Sequence, residues 1–204
     1  MKLYFSPFAC SLSPHIVLRE LGYDFDLVKV DLRGKTTSSG ENFLEVNSKG
    51  YVPALRLDNG EVLTEGPAIT QYLADQRPEK GLVPAAGTLE RARLQEWLTF
   101  IGTELHKGFG ALFAPGLPDE VKAATRERLG TRLTWTQDQL KGKAFLMGDN
   151  FSVADAYLFT VLNWPAFVGM DLANWPGLAE YHARVGARPA VGAAVGAEMA
   201  ARQA

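Results

Sequence analysis

Apolar residues in the first part of the chain form short runs that alternate with helical patterns. Residues 3–5 and 25–30 have the composition of strands, and residues 16–21 between them show helical spacing before a glycine. A hairpin is predicted over residues 52–63, because an Asn-Gly pair divides two apolar runs. A helix over about residues 65–77 follows. The resulting order is β-α-β, a loop, then β-β-α.

From residue 89 onward the apolar spacing is helical. Residues 94–105 carry apolar side chains at +4, +3 and +4, which predicts one long helix, and residues 129–140 predict another. Residues 153–164 are apolar on nearly all sides, which predicts a central helix. The last stretch, residues 191–204, is rich in small residues and is interpreted as a weak final helix or a frayed tail.

The start of the predicted central helix has the spacing of a capping box. Ser152 precedes it and Asp155 follows three residues later, so each side chain can bond the backbone at the other position. We therefore expect Asp155 to be structural rather than catalytic.

A Pro- and Gly-rich stretch separates the two patterns. We predict a thioredoxin-like α/β domain over residues 1–77, a linker over residues 78–88 and an all-α domain over residues 89–204.

Composition limits the classes of function. The chain has 204 residues, and 21 basic against 23 acidic side chains leave a net charge of −2, which argues against nucleic acid and anionic membranes as partners. One cysteine excludes an internal disulfide framework, and three histidines without close spacing argue against a metal site. No signal peptide or run of about 20 apolar residues is present, so we expect a cytoplasmic protein without a membrane span.

Cys10 is the first candidate for chemistry. It lies between a predicted strand and a predicted helix, where unpaired N–H groups and the helix dipole favour a thiolate. A lone cysteine is also often a small buried apolar residue, and its position leaves both interpretations open.

Two backbone positions are the next candidates. If the Val52-Pro53 bond is cis, the backbone of Val52 can pair with an extended, peptide-like ligand; otherwise Pro53 simply begins a strand. Glu65 and Gly66 open a helix, where free N–H groups could hold an anion and the carboxylate could pair with an ammonium group. Glu65 would alternatively only complement the helix dipole.

The helical part offers a polar stripe. Thr99, Thr103 and His106 are spaced +4 and +3 on one face, which is either solvated or directed at a cleft where His106 could hydrogen-bond a sulfur. His15 and His182 have no comparable neighbours in the sequence and are interpreted as incidental.

Together these motifs resemble those of the bacterial beta-class glutathione S-transferases over about residues 1–190. The segments that carry the resemblance are residues 1–15, 46–55, 63–75 and 96–109, with a signature of the wider superfamily at residues 151–157. Cys10 together with Thr103-Glu-Leu-His106-Lys107 points to the beta class in particular.

The resemblance implies the glutathione S-transferase fold, a homodimer, and glutathione in the cleft between the domains. It implies catalytic roles for Cys10, His106 and Ser11, with Cys10 beside the glutathione sulfur and able to form a mixed disulfide with it. The implied glutathione-binding residues are Cys10, Lys35, Val52, Pro53, Glu65, Gly66, Thr99, Thr103, Glu104 and His106. Pro53 would be the cis proline, Lys107 would add charge at the cleft, and Thr99 stands where the family often has asparagine.

The implied function is transfer of glutathione to apolar electrophiles in detoxification, with glutathione-dependent disulfide or peroxide reduction through Cys10. Aromatic side chains would form the apolar subsite, namely Phe8, Phe109, Phe113 and Trp164, although aromatic residues at helical spacing more often belong to the core. The alternatives are a non-catalytic protein that binds glutathione or apolar ligands, and a structural module that uses the fold for dimer contacts.

Overall fold

The computed structural model describes residues 1–203 and divides into two compact units. The α/β unit contains Met1–Val83 together with the chain from Ala187 onward, and the helical unit contains Pro84–Gly186. This division differs from the predicted all-α domain over residues 89–204, because the last helix packs with the α/β unit. Ala204, the last residue of that prediction, lies outside the described residues.

A mixed five-stranded sheet forms the centre of the α/β unit, with the strand order β3-β2-β1-β4-β5. The strands are β1 (Lys2–Phe5), β2 (Asp26–Asp31), β3 (Thr36–Thr37), β4 (Ala54–Arg56) and β5 (Val62–Thr64). β1 and β2 are parallel, and the other neighbouring strands are antiparallel. β1 is central, so its apolar residues are buried on both faces. The thioredoxin-like α/β layout is confirmed.

Two elements lie in the stretch that the sequence left as a loop. β3 adds an edge strand beside β2, and the short helix α2 (Phe43–Val46) brings an aromatic side chain into the core. Phe43 is fully buried and its ring lies 5.8 Å from the ring of Tyr4. Both elements are too short for apolar periodicity to reveal them. Burial of the Phe43 side chain stabilises α2 against the core.

Three helices pack around this sheet: α1 (Leu12–Leu21), α3 (Gly66–Asp75) and α9 (Pro189–Gln203). α1 ends at Gly22, whose φ of 71° is the left-handed conformation that glycine adopts without strain. α9 packs against α1 with Val191, Ala194 and Glu198 buried at +3 and +4. The predicted final helix is therefore present, and the alternative of a frayed tail is wrong, because one face of the helix is buried.

The helical unit has five α-helices among its described residues: α4 (Leu89–Phe100), α5 (Lys107–Leu112), α6 (Asp119–Gln139), α7 (Val153–Leu162) and α8 (Pro176–Gly186). Every residue of α7 is buried, so its predicted central place is confirmed. Short 3₁₀ turns cover Pro165–Val168 and Leu172–Asn174, and another lies in the α/β unit at Pro78–Lys80.

The long helix predicted over residues 94–105 is not regular. α4 ends at Phe100 and continues as a π-helical segment, Ile101–His106, before α5 begins. Apolar spacing alone does not separate a π turn from an α turn, so the sequence missed it. At Gly102 an added Cβ would lie 3.6 Å from the hydroxyl of Tyr157, which shows how closely α7 approaches this segment. Such segments occur often at functional sites.

The predicted capping box at the start of α7 is confirmed. Asp155 is buried and accepts hydrogen bonds from Ser152 N at 2.8 Å, Ser152 Oγ at 2.7 Å, Leu146 N at 2.8 Å and the Tyr181 hydroxyl at 2.8 Å. Burial raises the pKa of Asp155 despite these donors. The carboxyl holds α7, α8 and the preceding loop together, which is a structural role.

Candidate functional site

Cys10 lies at the end of the loop that joins β1 to α1. The loop turns through bonds from Ala9 N to Ser6 O and from Leu12 N to Ala9 O, both 3.0 Å. The thiol is partly exposed, and its Sγ donates to the carbonyl oxygen of Val52 at 3.2 Å. Cys10 is therefore at a polar, accessible position rather than in the apolar core.

Ser11 shapes this loop from inside. Its side chain is fully buried, and its Oγ donates to Ser6 O and accepts from Ser6 N, each at 3.2 Å. The hydroxyl is thus already bonded to the strand end that precedes Cys10. The predicted help of Ser11 in polarising a thiol stays a prediction.

The Val52-Pro53 peptide bond is cis, as the family resemblance implied. Both residues are buried directly before β4, and β4 pairs with β1. This pairing brings the Val52 carbonyl next to Cys10, in the loop that follows β1. The preceding residue, Tyr51, is held by a 2.7 Å bond from Asn47 Nδ2 to its carbonyl oxygen.

Glu65 caps α3 in an unusual backbone conformation. Its φ is 68°, a left-handed value that costs a non-glycine residue about 1 kcal/mol or more. The exposed carboxylate pairs with Lys49, whose Nζ also donates to Thr64 Oγ1 at 2.8 Å. Glu65 and Gly66 therefore present backbone N–H groups and a carboxylate together at the N-terminus of a ten-residue helix.

Lys35 has a second left-handed backbone, with φ of 53°. Its Nζ donates to Gly50 O at 2.9 Å and lies 5.7 Å from the centre of the Tyr51 ring. Lys35 is therefore held beside the segment that leads to Val52, and two cations, Lys35 and Lys49, flank this part of the α/β unit.

In the helical unit, His106 is held by two aromatic side chains. Its Nδ1 lies 2.6 Å from the Tyr157 hydroxyl, and its ring meets the Trp164 ring edge-on at 4.9 Å. Tyr157, on α7, is a functional candidate that the sequence interpretation missed. The available signal was a tyrosine in an otherwise apolar helix, because a buried tyrosine hydroxyl needs a partner.

Three other polar residues predicted near His106 bond to groups within the helical unit. The hydroxyl of Thr99 donates to Gln95 O at 2.8 Å, and that of Thr103 donates to Thr99 O at 3.0 Å. Glu104 pairs with Arg132 at 2.8 Å, and Lys107 is exposed. The ligand-binding roles of these residues stay predictions.

Aromatic residues near His106 divide into core and surface. Phe109 is fully buried and Trp164 is 5% exposed, whereas Phe113 is 48% exposed and lies 6.1 Å from the Trp164 ring. Phe8, in the α/β unit, is partly exposed. Phe113 is thus the member of the predicted subsite with the largest open surface, and Phe109 belongs to the core of the helical unit.

Within residues 1–203, no three His, Cys, Asp or Glu side chains cluster closely enough to suggest a metal site. None of the described helices combines the length and apolar character needed to span a membrane.

Comparison with known proteins places this fold in a family. The model of the glutathione S-transferase N-terminal domain matches residues 5–76, and that of the glutathione S-transferase C-terminal domain matches residues 100–189. Glutathione S-transferase GstA of Escherichia coli O157:H7 is 46% identical over 198 residues, which are 97% of this chain and 98% of that protein.

Solved structures agree. A sphingomonad glutathione S-transferase complexed with glutathione is 54% identical, with a TM-score of 0.94, and the match covers 97% of this chain and 98% of that one. The bacterial beta-class glutathione S-transferase of Sphingomonas chungbukensis is 52% identical, with a TM-score of 0.94 and the same coverage.

This chain belongs to the glutathione S-transferase family. The predicted family, fold and enzyme class are confirmed by the two domain models and by relatives that span nearly the whole chain.

Proposed function

We propose that this protein binds glutathione and transfers its sulfur to apolar electrophiles. The observation that carries the proposal is the grouping within the α/β unit: the Cys10 thiol bonded to Val52 O, directly before the cis proline Pro53. The structure of a relative 54% identical to this chain is a complex with glutathione, which supports the same ligand here.

In the proposed complex the tripeptide is recognised mainly by backbone groups. The backbone of Val52 pairs with the cysteinyl part of glutathione, as an extended peptide pairs with a strand edge. Glu65 and Gly66 hold the γ-glutamyl end, whose ammonium and carboxylate groups match a side-chain carboxylate and helix N–H groups. Lys35 contributes a cation for the remaining carboxylate.

Conjugation needs a glutathione thiolate and an apolar surface for the electrophile. His106 and the N–H groups at the start of α1 stabilise the thiolate, while Phe113 and Trp164 contact the apolar substrate. With an aryl chloride, the sulfur forms a bond to the ring carbon and chloride leaves with the bonding pair. The thiol proton passes to solvent.

Cys10 supports a second reaction of the same ligand, reduction of glutathione mixed disulfides. Its thiolate attacks the glutathione sulfur of the substrate, the S–S bond breaks, and the substrate thiolate leaves and takes a proton. A second glutathione thiolate then attacks the Cys10–glutathione disulfide. The products are oxidised glutathione and the restored thiolate, so one glutathione thiol is consumed for each substrate thiol released and its disulfide replaces that of the substrate.

Retention on immobilised glutathione, followed by turnover assays with an aryl chloride and with a glutathione mixed disulfide, tests the proposal. We expect elution by free glutathione and turnover in both assays. Retention without turnover over a broad panel of electrophiles would favour the alternative, a non-catalytic protein that binds glutathione or apolar ligands. Failure to bind glutathione would overturn the proposal.

The family also supports a cytoplasmic homodimer that acts in detoxification, and we include this in the proposal. Light scattering of the purified protein is expected to give twice the mass of 22.3 kDa. A monomeric mass that does not change with concentration would remove the dimer from the proposal.

A further inference from the structure

Lys49 is an exposed cation that the proposed function above does not use. Its Nζ pairs with the Glu65 carboxylate and donates to Thr64 Oγ1 at 2.8 Å, so the ammonium group lies at the end of β5, directly before α3. An ammonium group has three N–H donors, and these two contacts leave one for a ligand. The position expected to hold the γ-glutamyl end of glutathione therefore has a cation beside its carboxylate.

A buried asparagine fixes the turn that carries Lys49. The side-chain oxygen of Asn47 accepts from Lys49 N at 3.2 Å, and its amide nitrogen donates to Tyr51 O at 2.7 Å. Gly50 completes the turn, because its N–H donates to Asn47 O at 2.8 Å and its φ of 67° is a left-handed value that suits glycine. The same turn leads into Val52. The backbone of Lys49 is therefore held in a fixed place relative to that of Val52.

The start of α3 offers few N–H donors to an anion. A helix usually has four free N–H groups at its N-terminus, but Pro67 has none to give. The N–H groups of Ala68 and Ile69 both donate to Glu65 O at 3.0 Å. Among the first four residues of α3, this leaves Gly66 to supply an N–H to a ligand. A carboxylate accepts up to about four hydrogen bonds, so it needs a further donor here.

The γ-glutamyl end of glutathione carries an α-ammonium and an α-carboxylate on the same carbon atom. If Glu65 pairs with the ammonium, the adjacent carboxylate comes close to the Lys49 ammonium. The side chains of Lys49 and Glu65 are 46% and 71% exposed, so water screens their ion pair and it contributes little to stability. The ligand can therefore open this pair and form two charge-assisted contacts in place of one.

Lys35, the other cation near Val52, has a different position. Its Nζ donates to Gly50 O at 2.9 Å, whereas Lys49 pairs with Glu65. Glutathione has a carboxylate at each end, and backbone pairing at Val52 would hold its middle. The two lysines then correspond to the two carboxylates, Lys49 to the γ-glutamyl one and Lys35 to the glycyl one.

We propose that Lys49 is a further glutathione-binding residue, which recognises the α-carboxylate of the γ-glutamyl group while Glu65 binds the adjacent ammonium. Together the two side chains select a ligand end that carries both charges. This inference rests on the proposed function because it concerns the same ligand. It is tested by binding rather than by turnover, so that the two can fail separately.

The test measures dissociation constants by calorimetry for three ligands whose sulfur is methylated, so that no disulfide with Cys10 can form. The first is S-methylglutathione. The second has a 4-aminobutyryl group in place of γ-glutamyl and lacks the α-carboxylate, and the third has a glutaryl group and lacks the ammonium. The variants are Lys49→Gln, Lys49→Arg and Glu65→Gln. Lys80→Gln is the control, since Lys80 is an exposed lysine in the 3₁₀ turn beyond the other end of α3.

We expect Lys49→Gln to weaken binding of S-methylglutathione and of the glutaryl ligand about ten-fold, and to change that of the aminobutyryl ligand less than about two-fold. Glu65→Gln should give the converse pattern, with weaker binding of S-methylglutathione and of the aminobutyryl ligand. Lys49→Arg keeps the cation and should stay within about three-fold of the unchanged protein. Lys80→Gln should change all three constants less than about two-fold.

Two results would overturn the proposal. Equal weakening of all three ligands in Lys49→Gln would mean that Lys49 only supports the turn. Unchanged or tighter binding of S-methylglutathione in that variant would mean that its ammonium only occupies Glu65. If the unchanged protein bound none of the ligands, the proposed function would fail and this inference with it.

Discussion

The two units present their candidate groups in different ways. In the α/β unit the candidate ligand-binding groups are mostly backbone atoms. They are the carbonyl oxygen of Val52, beside the Cys10 thiol, and the first N–H groups of α3 at Gly66. In the helical unit they are side chains, above all His106, held by Tyr157 and Trp164 on an irregular helical segment.

This difference predicts that side-chain substitutions affect the candidate groups of the two units differently. Backbone atoms are placed by strand pairing and turns, so their positions survive most side-chain substitutions. A side chain such as His106 can be replaced directly. We therefore expect substitutions in the α/β unit to act through the one thiol or through strained backbone, and those in the helical unit to act on catalysis.

The largest expected effect separates the two reactions at Cys10. Cys10→Ala should lose mixed-disulfide reduction to the rate without protein, because the attacking sulfur is gone, yet keep conjugation of an aryl chloride within about ten-fold. Paired steady-state assays on the folded variant measure both. Equal loss of both reactions would show that conjugation also requires the Cys10 thiol. The proposed division, with disulfide reduction dependent on Cys10 and conjugation largely independent of it, would then be wrong.

The next effect concerns the helical unit. Tyr157→Phe removes the hydroxyl bonded to His106 and should lower kcat/KM for conjugation about ten-fold, mainly through kcat, because the imidazole loses its fixed orientation. Tyr181→Phe is the control, since it also removes a buried hydroxyl, the one bonded to Asp155. We expect that variant to lose stability with little change in kcat. Similar kinetics in the two variants would contradict a specific role for Tyr157.

A smaller effect tests the strained backbone at Glu65. Glu65→Gly and Glu65→Ala both remove the carboxylate and should raise the glutathione KM by a similar factor, about ten-fold. The glycine variant should be more stable than the alanine variant by about 1 kcal/mol, because only glycine adopts a φ of 68° without strain. Urea unfolding measures the difference. Higher stability of the alanine variant would show that the backbone is not strained.

The smallest expected effect is a pH dependence in the helical unit. Burial lowers the pKa of His182 from 6.5, so the unfolded chain binds a proton at a pH where the folded chain does not. The free energy of unfolding should therefore fall as the pH is lowered through about 6.5. His182→Asn should reduce this slope in urea titrations between pH 5 and pH 7.5. An unchanged slope would assign the effect to other groups.

Sequence patterns identified much of this protein because its main elements are long or strongly marked. The Asn-Gly turn predicted the hairpin of β4 and β5, the Ser152-Asp155 spacing predicted the capping box, and apolar periodicity predicted α6 and α7. The cis bond at Pro53 was implied by resemblance, since the residues allow either isomer. Cys10 was identified as a candidate reactive residue from its position between a predicted strand and a predicted helix.

The features that sequence did not predict depend on contacts between distant residues. The π-helical segment that ends at His106 has the same apolar spacing as an α-helix, and the contact of His106 with Tyr157 exists only once α7 is in place. The bond from Phe8 N–H to the Glu198 carboxylate has no local signal either, because a glutamate in a helix of small residues has the sequence pattern of an exposed one.

The sequence by itself determined the family, the order of the longer elements and the residues with reactive side chains, because periodicity, turns and motifs are local properties of a chain. Tertiary structure alone decided which of these side chains are held and by what. It joined Glu198 and His15 to the loop before Cys10, and Tyr157 to His106. These bonds matter for stability because burying a polar group without a partner costs free energy, and only the folded chain brings the partner into place.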